Sequence, residues 1–291
     1  RGNQPGWKQG DARYRLRRPE VNLKNDTMLP GALDMLFKMQ EGDSQILATA
    51  IHNGHDLREE VAKIMALDDA SRFREEDPYT GAWTTIVPNR IAVYRSRFEV
   101  DLNRPRDKAV YLNPEDAWGL EVWKTQPSRG LIARSLARYD GFYEQLHRLC
   151  SRMQERDGYF VVFDLHSYNH CRQGPRGMPA DQEGNPEINI GTGTMRRELW
   201  TSLVDRFIDD LRGYDYFGRH LDVRENVKFR GGQLSRYIHE HFPNSGCAIA
   251  VEVKKIFMDE WSGTVDGKQL QGIRGALRGT IPGIIDVLKK K

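Results

Sequence analysis

Tyr159-Phe160-Val161-Val162-Phe163-Asp164-Leu165-His166-Ser167 decides how this chain folds. An unbroken apolar run gives way to an aspartate, a histidine and a serine. Such a run marks a strand buried on both faces, and polar groups at its end lie where α/β sheets gather ligands. A second run behaves alike: Ile46-Leu47-Ala48-Thr49-Ala50-Ile51 leads to His52, followed by Asn53, Gly54, His55 and Asp56. Two strand ends that each deliver a histidine point to a metal site.

Working outward, Leu131 to Arg156 repeats apolar residues at helical spacing, from Leu136 and Tyr139 to Leu149 and Met153, so a helix of several turns feeds the first strand. Leu57 to Met65, with Glu59 and Glu60 in its first turn, predicts another helix, and Met28 to Met39 a short amphipathic one. Pro78 ends any helix near Asp77. Ile86 to Tyr94 and Arg97 to Leu102 read as strands, and the polar span 106–128 as the cover of an entrance. Beyond the Gly- and Pro-containing loop 172–187 come Ile188 to Gly193, a helix over Met195 to Leu211, and a short one over Gln233 to His241. Ala248 to Val253 is a further buried strand carrying Glu252. Strand, helix and strand in succession predict an α/β sheet. Residues 1–25 are polar and irregular and predict a surface arm; 26–291 reads as one domain without repeat or linker.

The chain has 291 residues, enough to bury a large core. Charged residues make up 29 %, the net charge is +3, and Lys and Arg are interspersed with Asp and Glu, which disfavours nucleic-acid binding. No apolar run approaches the roughly 20 residues of a membrane helix. Arg1 to Glu20 is basic and Gly-containing, with no signal-peptide core. The odd count of cysteines, Cys150, Cys171 and Cys247, lacks C-x-x-C spacing, which argues against a disulfide framework and implies a reducing, cytoplasmic setting.

A hydrolytic zinc ion usually has three protein ligands and one open position. His52 and His166 supply two; Asp56, Glu59, Glu60, Glu76, Asp77 and Asp164 are the acidic candidates, and His170-Cys171 an alternative source. Asp164 lies two residues before His166, so on a strand both side chains share a face, and the acid can orient the imidazole. Glu252 sits inside an apolar strand, where an uncompensated carboxylate costs several kcal/mol. It is either a base beside a metal-bound water or the partner of Lys254, Lys255 or an arginine. Asn103-Arg104 offers a fork suited to a carboxylate. His239-Glu240-His241 lacks the i, i+4 spacing of a zinc helix and reads as solvated surface. Gly191-Thr192-Gly193 is too short for a dinucleotide fingerprint, and Ser167 lacks the G-x-S-x-G of a nucleophile elbow.

Ile51-His52-Asn53-Gly54, Glu76-Asp77, Ser96 to Arg104, Asp164-Leu165-His166-Ser167, Ile188 to Thr192, Asn226 with Gly231-Gly232, and Val251-Glu252-Val253 follow one another in an order that resembles the N-formylglutamate amidohydrolase family. The resemblance implies a mixed central sheet flanked by helices, the phosphorylase/hydrolase-like arrangement of zinc carboxypeptidases. It implies one divalent metal ion, zinc, held by His52, by Glu76 or Asp77, and by His166, with Asp164 supporting. Glu252 takes the place of the carboxylate that activates water and is the catalytic group together with Arg104; Asn103, Arg104 and Arg97 bind the carboxylate of a small-molecule substrate. The activity implied is hydrolysis of N-formyl-L-glutamate to formate and L-glutamate, as in histidine degradation. The alternatives are a carboxypeptidase-like peptidase and a metal-free binding module on the same fold. This chain departs from the family's common Pro-His-Ser-Gly at the first histidine, having Ile-His-Asn-Gly and an added His55-Asp56.

Overall fold

Residues 36–291 are described by a computed structural model of the protein. In chain order the strands are β1 (Phe37–Gln40), β2 (Ile46–Ala50), β3 (Asn89–Val93), β4 (Phe160–Tyr168), β5 (Ile188–Gly191), β6 (Val223–Glu225) and β7 (Gly246–Lys254). They form one seven-stranded sheet in the order β1-β3-β2-β4-β7-β5-β6. β3, β2, β4 and β7 run parallel, whereas β1 is antiparallel to β3 and β5 to β7. The sheet is therefore mixed, with its longest strands, β4 and β7, at the centre, buried at every position except the half-buried Glu252.

The helices are α1 (Glu59–Ile64), α2 (Asp69–Glu75), α3 (Thr80–Trp83), α4 (Arg129–Asp157), α5 (Thr201–Gly213), α6 (Gln233–His241), α7 (Gly267–Gly279) and α8 (Ile281–Leu288). Strand alternation assigns them to two faces. Val161, Phe163 and Leu165 of β4 and Cys247, Ile249, Val251 and Val253 of β7 pack against α5, α7 and α8. Phe160 and Val162 of β4 and Ala248 of β7 pack against α4 and α6. Asp164, His166 and Glu252 continue the α4–α6 side.

Several expectations change. Phe37–Gln40, which overlaps the end of the expected helix Met28 to Met39, is an edge strand, paired with β3; that helix up to residue 35, and the arm 1–25, lie outside the described residues. Arg97 to Leu102 is not a strand but a turn-rich loop. Its alternate polar residues, Glu99 and Asp101, are fully buried and bind Arg58 and His52 instead of facing water. β4 runs on to Tyr168, so His166 stands within the strand. The helix expected from Met195 starts as a 3-10 turn, Arg197–Trp200, and becomes α-helical at Thr201. Cys150, Cys171 and Cys247 are free thiols, and no described helix is long and apolar enough to cross a membrane.

His239, expected on a solvated face, is half-buried in a hydrogen-bonded seat. Its Nε2 accepts from the Ala248 amide at 3.0 Å and its Nδ1 lies 2.9 Å from Thr194 Oγ1. Burial pulls its pKa down to about 4. The unfolded chain takes up this proton near pH 6.5 and the folded one does so only near 4. The resulting penalty is absent above pH 6.5, grows as pH falls, and levels off below 4 at about 3 kcal/mol. Urea midpoints measured at successive pH values should show His239→Gln losing that share of acid destabilisation; an unchanged pH slope contradicts the seat described.

Candidate active site

Register builds the site. β4 and β7 pair in parallel with His166 opposite Glu252 and Asp164 opposite Ala250, while Thr49 of β2 lies opposite Asp164. The small Ala250 leaves room for the carboxylate. Asp164 is fully buried and accepts from Thr49 Oγ1 at 3.0 Å and from Ser235 Oγ at 3.4 Å. Its Oδ1 lies 3.1 Å from His166 Nε2, the orienting contact that the two-residue spacing predicts.

His52 leaves β2 and is held in the same manner by a different acid. Its Nε2 lies 2.7 Å from Asp101 Oδ1. Both histidines then turn Nδ1 toward Asp77 Oδ2, at 3.4 Å from His52 and 3.0 Å from His166. The His52, Asp77 and His166 donor atoms lie within 4.8 Å of one another, and all three residues are buried. Burial alone would raise the Asp77 pKa, but hydrogen bonds from His166 and His52 hold it well below the usual carboxylate range.

A neutral imidazole has one N–H, yet each of these rings lies between two carboxylates. Nε2–H satisfies Asp101 or Asp164; at Nδ1 either a second proton or a cation must face Asp77. Two imidazole nitrogens and a carboxylate oxygen, each imidazole backed by an acid, form a donor set that fits zinc in an open catalytic site. His52, Asp77 and His166 can therefore hold a divalent ion.

The structure separates the neighbours Glu76 and Asp77. α2 ends at Glu75, and Glu76 is extended (φ −81°, ψ 176°), so the two adjacent side chains diverge. The Asp77 amide donates to His52 O at 2.9 Å, tying it to the first histidine. Glu76 turns away: it meets His55 Nδ1 at 2.6 Å, accepts from Ser96 Oγ, and lies 3.7 Å from Arg72. Of the two acids that the sequence leaves open, Asp77 is the one that faces both histidines. Asp56 is exposed, Glu59 pairs with Lys63, and Glu60 pairs with Arg58 and Arg134. Gly54 is required where the loop after His52 crosses Tyr94, since a Cβ there would lie 2.3 Å from a backbone carbon.

Beside this centre opens a cavity of about 240 Å³. Glu252 lines it and has no ion-pair partner among the described residues: Lys254 donates to Gln182, and Lys255 donates to the carbonyls of Arg74 and Glu76. The alternative of a lysine pair for Glu252 is corrected accordingly. Burial raises its pKa to about 7, with His166 opposing and Asp77 and Asp164 adding to the rise, so the carboxylate is populated as a base from about neutral pH upward. Lys255 also lines the cavity; burial lowers its pKa to about 8, which leaves it charged at pH 7.

Arg104 lines the same cavity, with a 3.2 Å hydrogen bond to Asp116 O, a 3.9 Å approach to Asp101 and its guanidinium 5.7 Å from the centre of the Tyr111 ring. Arg97 is committed instead. It donates to Asp101 at 2.8 Å and to the Tyr111 hydroxyl at 3.2 Å, and stacks over Trp118. Asn103 Oδ1 accepts from the Leu234 amide at 3.1 Å, and its Nδ2 lies 3.4 Å from His166 Nε2, so this side chain, anchored on the start of α6, stands beside the site. Tyr143 and Tyr139 of α4 fix this loop by donating to the carbonyls of Leu102 and Arg104.

Sequence reasoning gave no role to Asp101, Tyr111 or Trp118, and named Lys255 only as a possible partner of Glu252. For Asp101 the signal was an acid between the apolar Val100 and Leu102. Trp118 comes from the span read as a cover and does line the cavity, 48 % exposed, with a left-handed backbone (φ 55°). His170, Cys171 and Glu260 form a second group with donor atoms within 4.8 Å. There the Glu260 carboxylate already accepts from the His170 and Cys171 amides.

A family model for N-formylglutamate amidohydrolase matches residues 44–258. Among solved structures, an N-formylglutamate amidohydrolase from Ralstonia eutropha JMP134 superposes with a TM-score of 0.69 at 16 % identity, covering 88 % of this chain and 99 % of that one. A gene product of Agrobacterium tumefaciens gives 0.63 at 16 % identity, covering 89 % and 98 %. These likenesses show a shared mixed α/β fold. A metallo-carboxypeptidase from Burkholderia cenocepacia reaches only 0.34 at 14 % identity, covering 83 % of this chain and 56 % of that one, and carries no weight. No curated protein matches the chain.

Gly232, the residue before α6, meets Asn103 closely: a Cβ there would lie 2.3 Å from Asn103 Oδ1. Gly232→Ala should push Asn103 off α6 at a cost of about 1–3 kcal/mol, read from denaturant midpoints. Gly141→Ala, in open space on α4, should stabilise by about 0.5–1 kcal/mol. Equal effects at both positions would contradict the Asn103 link.

Proposed function

This chain belongs to the N-formylglutamate amidohydrolase family, and from that premise we propose that it hydrolyses the amide bond of a small N-acyl amino acid, N-formyl-L-glutamate first among them, with one zinc ion held by His52, Asp77 and His166. The observation that carries the reading is the buried trio of donors beside Glu252, a carboxylate with no ion-pair partner among the described residues.

Bound there, the ion would supply Lewis acidity toward the substrate carbonyl and would acidify water. The protein does the remainder. Asp101 and Asp164 keep the imidazoles of His52 and His166 in one tautomer and one orientation. Glu252, which lines the cavity beside the three donors, takes the proton of the attacking water on its carboxylate and delivers it to the departing amine nitrogen. Arg104 binds the substrate carboxylate with its guanidinium fork, assisted by Asn103. Arg97, locked onto Asp101 and Tyr111, braces the His52 support and contributes positive charge to the wall.

Glu252→Gln should lower kcat on N-formylglutamate by about 10²–10⁴-fold while retaining zinc, measured by metal analysis after dialysis. Activity near that of the parent would mean that another group is the base. Arg104→Ala should raise KM more than it lowers kcat, as expected for an interaction made equally in ground and transition states. Chelation should abolish turnover and one equivalent of zinc restore it; full activity in metal-free protein contradicts the metal assignment.

A further inference from the structure

His170-Cys171, just past the end of β4, has no part in the proposed reaction. Both residues are half-buried, and they meet Glu260, a buried carboxylate presented from the turn closed by the Met258–Val265 bridge. One ligand atom from each of the three lies within 4.8 Å of the others. Cys171 Sγ is 3.6 Å from His170 Nδ1 and 4.0 Å from its Nε2, and His170 Nε2 is 3.7 Å from Glu260 Oε1. Zinc bonds of about 2.0–2.3 Å in tetrahedral geometry set neighbouring donor atoms roughly 3.3–3.6 Å apart. These contacts therefore need only a small contraction to close round an ion.

The backbone around the trio is pinned. Glu260 Oε1 accepts from the His170 amide and, at 3.0 Å, from the Cys171 amide, which also reaches Oε2 at 3.2 Å. A carboxylate has about four lone-pair sites, so these bonds fix the group and leave Oε2 a lone pair for a ligand. The Trp261 indole donates to Cys171 O at 2.7 Å and carries the Arg74 guanidinium 4.2 Å over its ring, and the Ala180 amide donates to His170 O at 2.7 Å. The charge is less well matched than the backbone. Among the described residues the one ionic partner of Glu260 within 4.0 Å is His170, and Lys255 acts on it only from farther away. Burial lowers the His170 pKa and favours the neutral ring. A buried carboxylate beside a neutral imidazole and a thiol favours a cation.

We infer that His170, Cys171 and Glu260 form a second metal site, for a divalent ion of the zinc class, distinct from the centre at His52, Asp77 and His166. A sulfur, an imidazole nitrogen and a carboxylate oxygen suit that class, and solvent supplies the rest of the shell. Cys171 releases its thiol proton to solvent as the ion binds. The flanking residues Asn169 and Arg172 line the cavity, so the ion ties the edge of the cavity to the Met258–Val265 turn. The first centre, with Asp77, Asp101 and Asp164 around its histidines, fills first, and the second site takes an added equivalent. The inference involves no substrate and does not depend on the amidohydrolase reading.

Protein loaded with one equivalent of zinc should be titrated with cobalt(II), which absorbs in the near ultraviolet by charge transfer when a thiolate binds it. The centre at His52 offers only nitrogen and oxygen, and Cys150 and Cys247 are buried in the core, so this band reports Cys171. The expected band saturates at one cobalt per chain and is absent from Cys171→Ser. His170→Gln or Glu260→Gln should weaken cobalt binding by at least about tenfold, no less than the loss of an outer partner of a ligand. In the unaltered protein, cobalt should slow alkylation of Cys171 by a similar factor, mapped by mass spectrometry, which keeps the test valid if a variant fails to fold. No band with cobalt in excess, a band that survives Cys171→Ser, cobalt affinity unchanged in both other variants, or alkylation unaffected by cobalt overturns the site. Each of these leaves the first centre and the amidohydrolase reading in place.

Discussion

Each of two buried imidazoles has carboxylates at both of its nitrogens, and this constraint organises the molecule. Asp101 and Asp164 occupy Nε2 of His52 and His166, and Asp77 faces Nδ1 of both. Neutral rings cannot donate to all of these acids, so the cluster calls for a positive charge at its centre. The arrangement requires β2, β4 and β7 in one register, the 97–104 loop folded against them, and α2 ended so that Asp77 points inward. Removing any one of these leaves an uncompensated buried charge, an expensive defect in a protein interior.

Burial of the supports makes that geometry durable. Asp164 sits at the junction of three elements, with Thr49 from β2 and Ser235 from α6. Asp101 is wrapped by Arg97, His52 and Tyr111, and these contacts outweigh a burial that would otherwise raise its pKa, holding it far down. The open side of the centre faces the cavity, where burial keeps the proton affinity of Glu252 high against the pull of His166. The cavity thus joins a fixed donor set to a titratable base, the combination on which metal-assisted hydrolysis depends.

Much of this was legible in the sequence, for identifiable reasons. β2, β4 and β7 are near-continuous apolar runs because they are buried on both faces, so His52, His166 and Glu252 stood out as polar residues in apolar surroundings. The long helix α4 was readable from its spacing. Glu76 and Asp77 could not be separated, because which of two neighbours points inward depends on where α2 ends. Arg97 to Leu102 imitates a strand by alternating apolar and polar residues; its polar members turn inward because buried partners await them, information that lies elsewhere in the chain. His239 has a seat made by the Ala248 amide, nine residues away.

The central claim is that the first metal ion belongs between His52, Asp77 and His166 and not at His170, Cys171 and Glu260. X-ray absorption at the zinc edge, on protein loaded with one equivalent of zinc, separates the two by chemistry. The account predicts a first shell of nitrogen and oxygen at about 2.0–2.1 Å, with the outer-shell scattering of two imidazoles and no sulfur. A sulfur scatterer at about 2.3 Å, or the signature of a single imidazole, would contradict it.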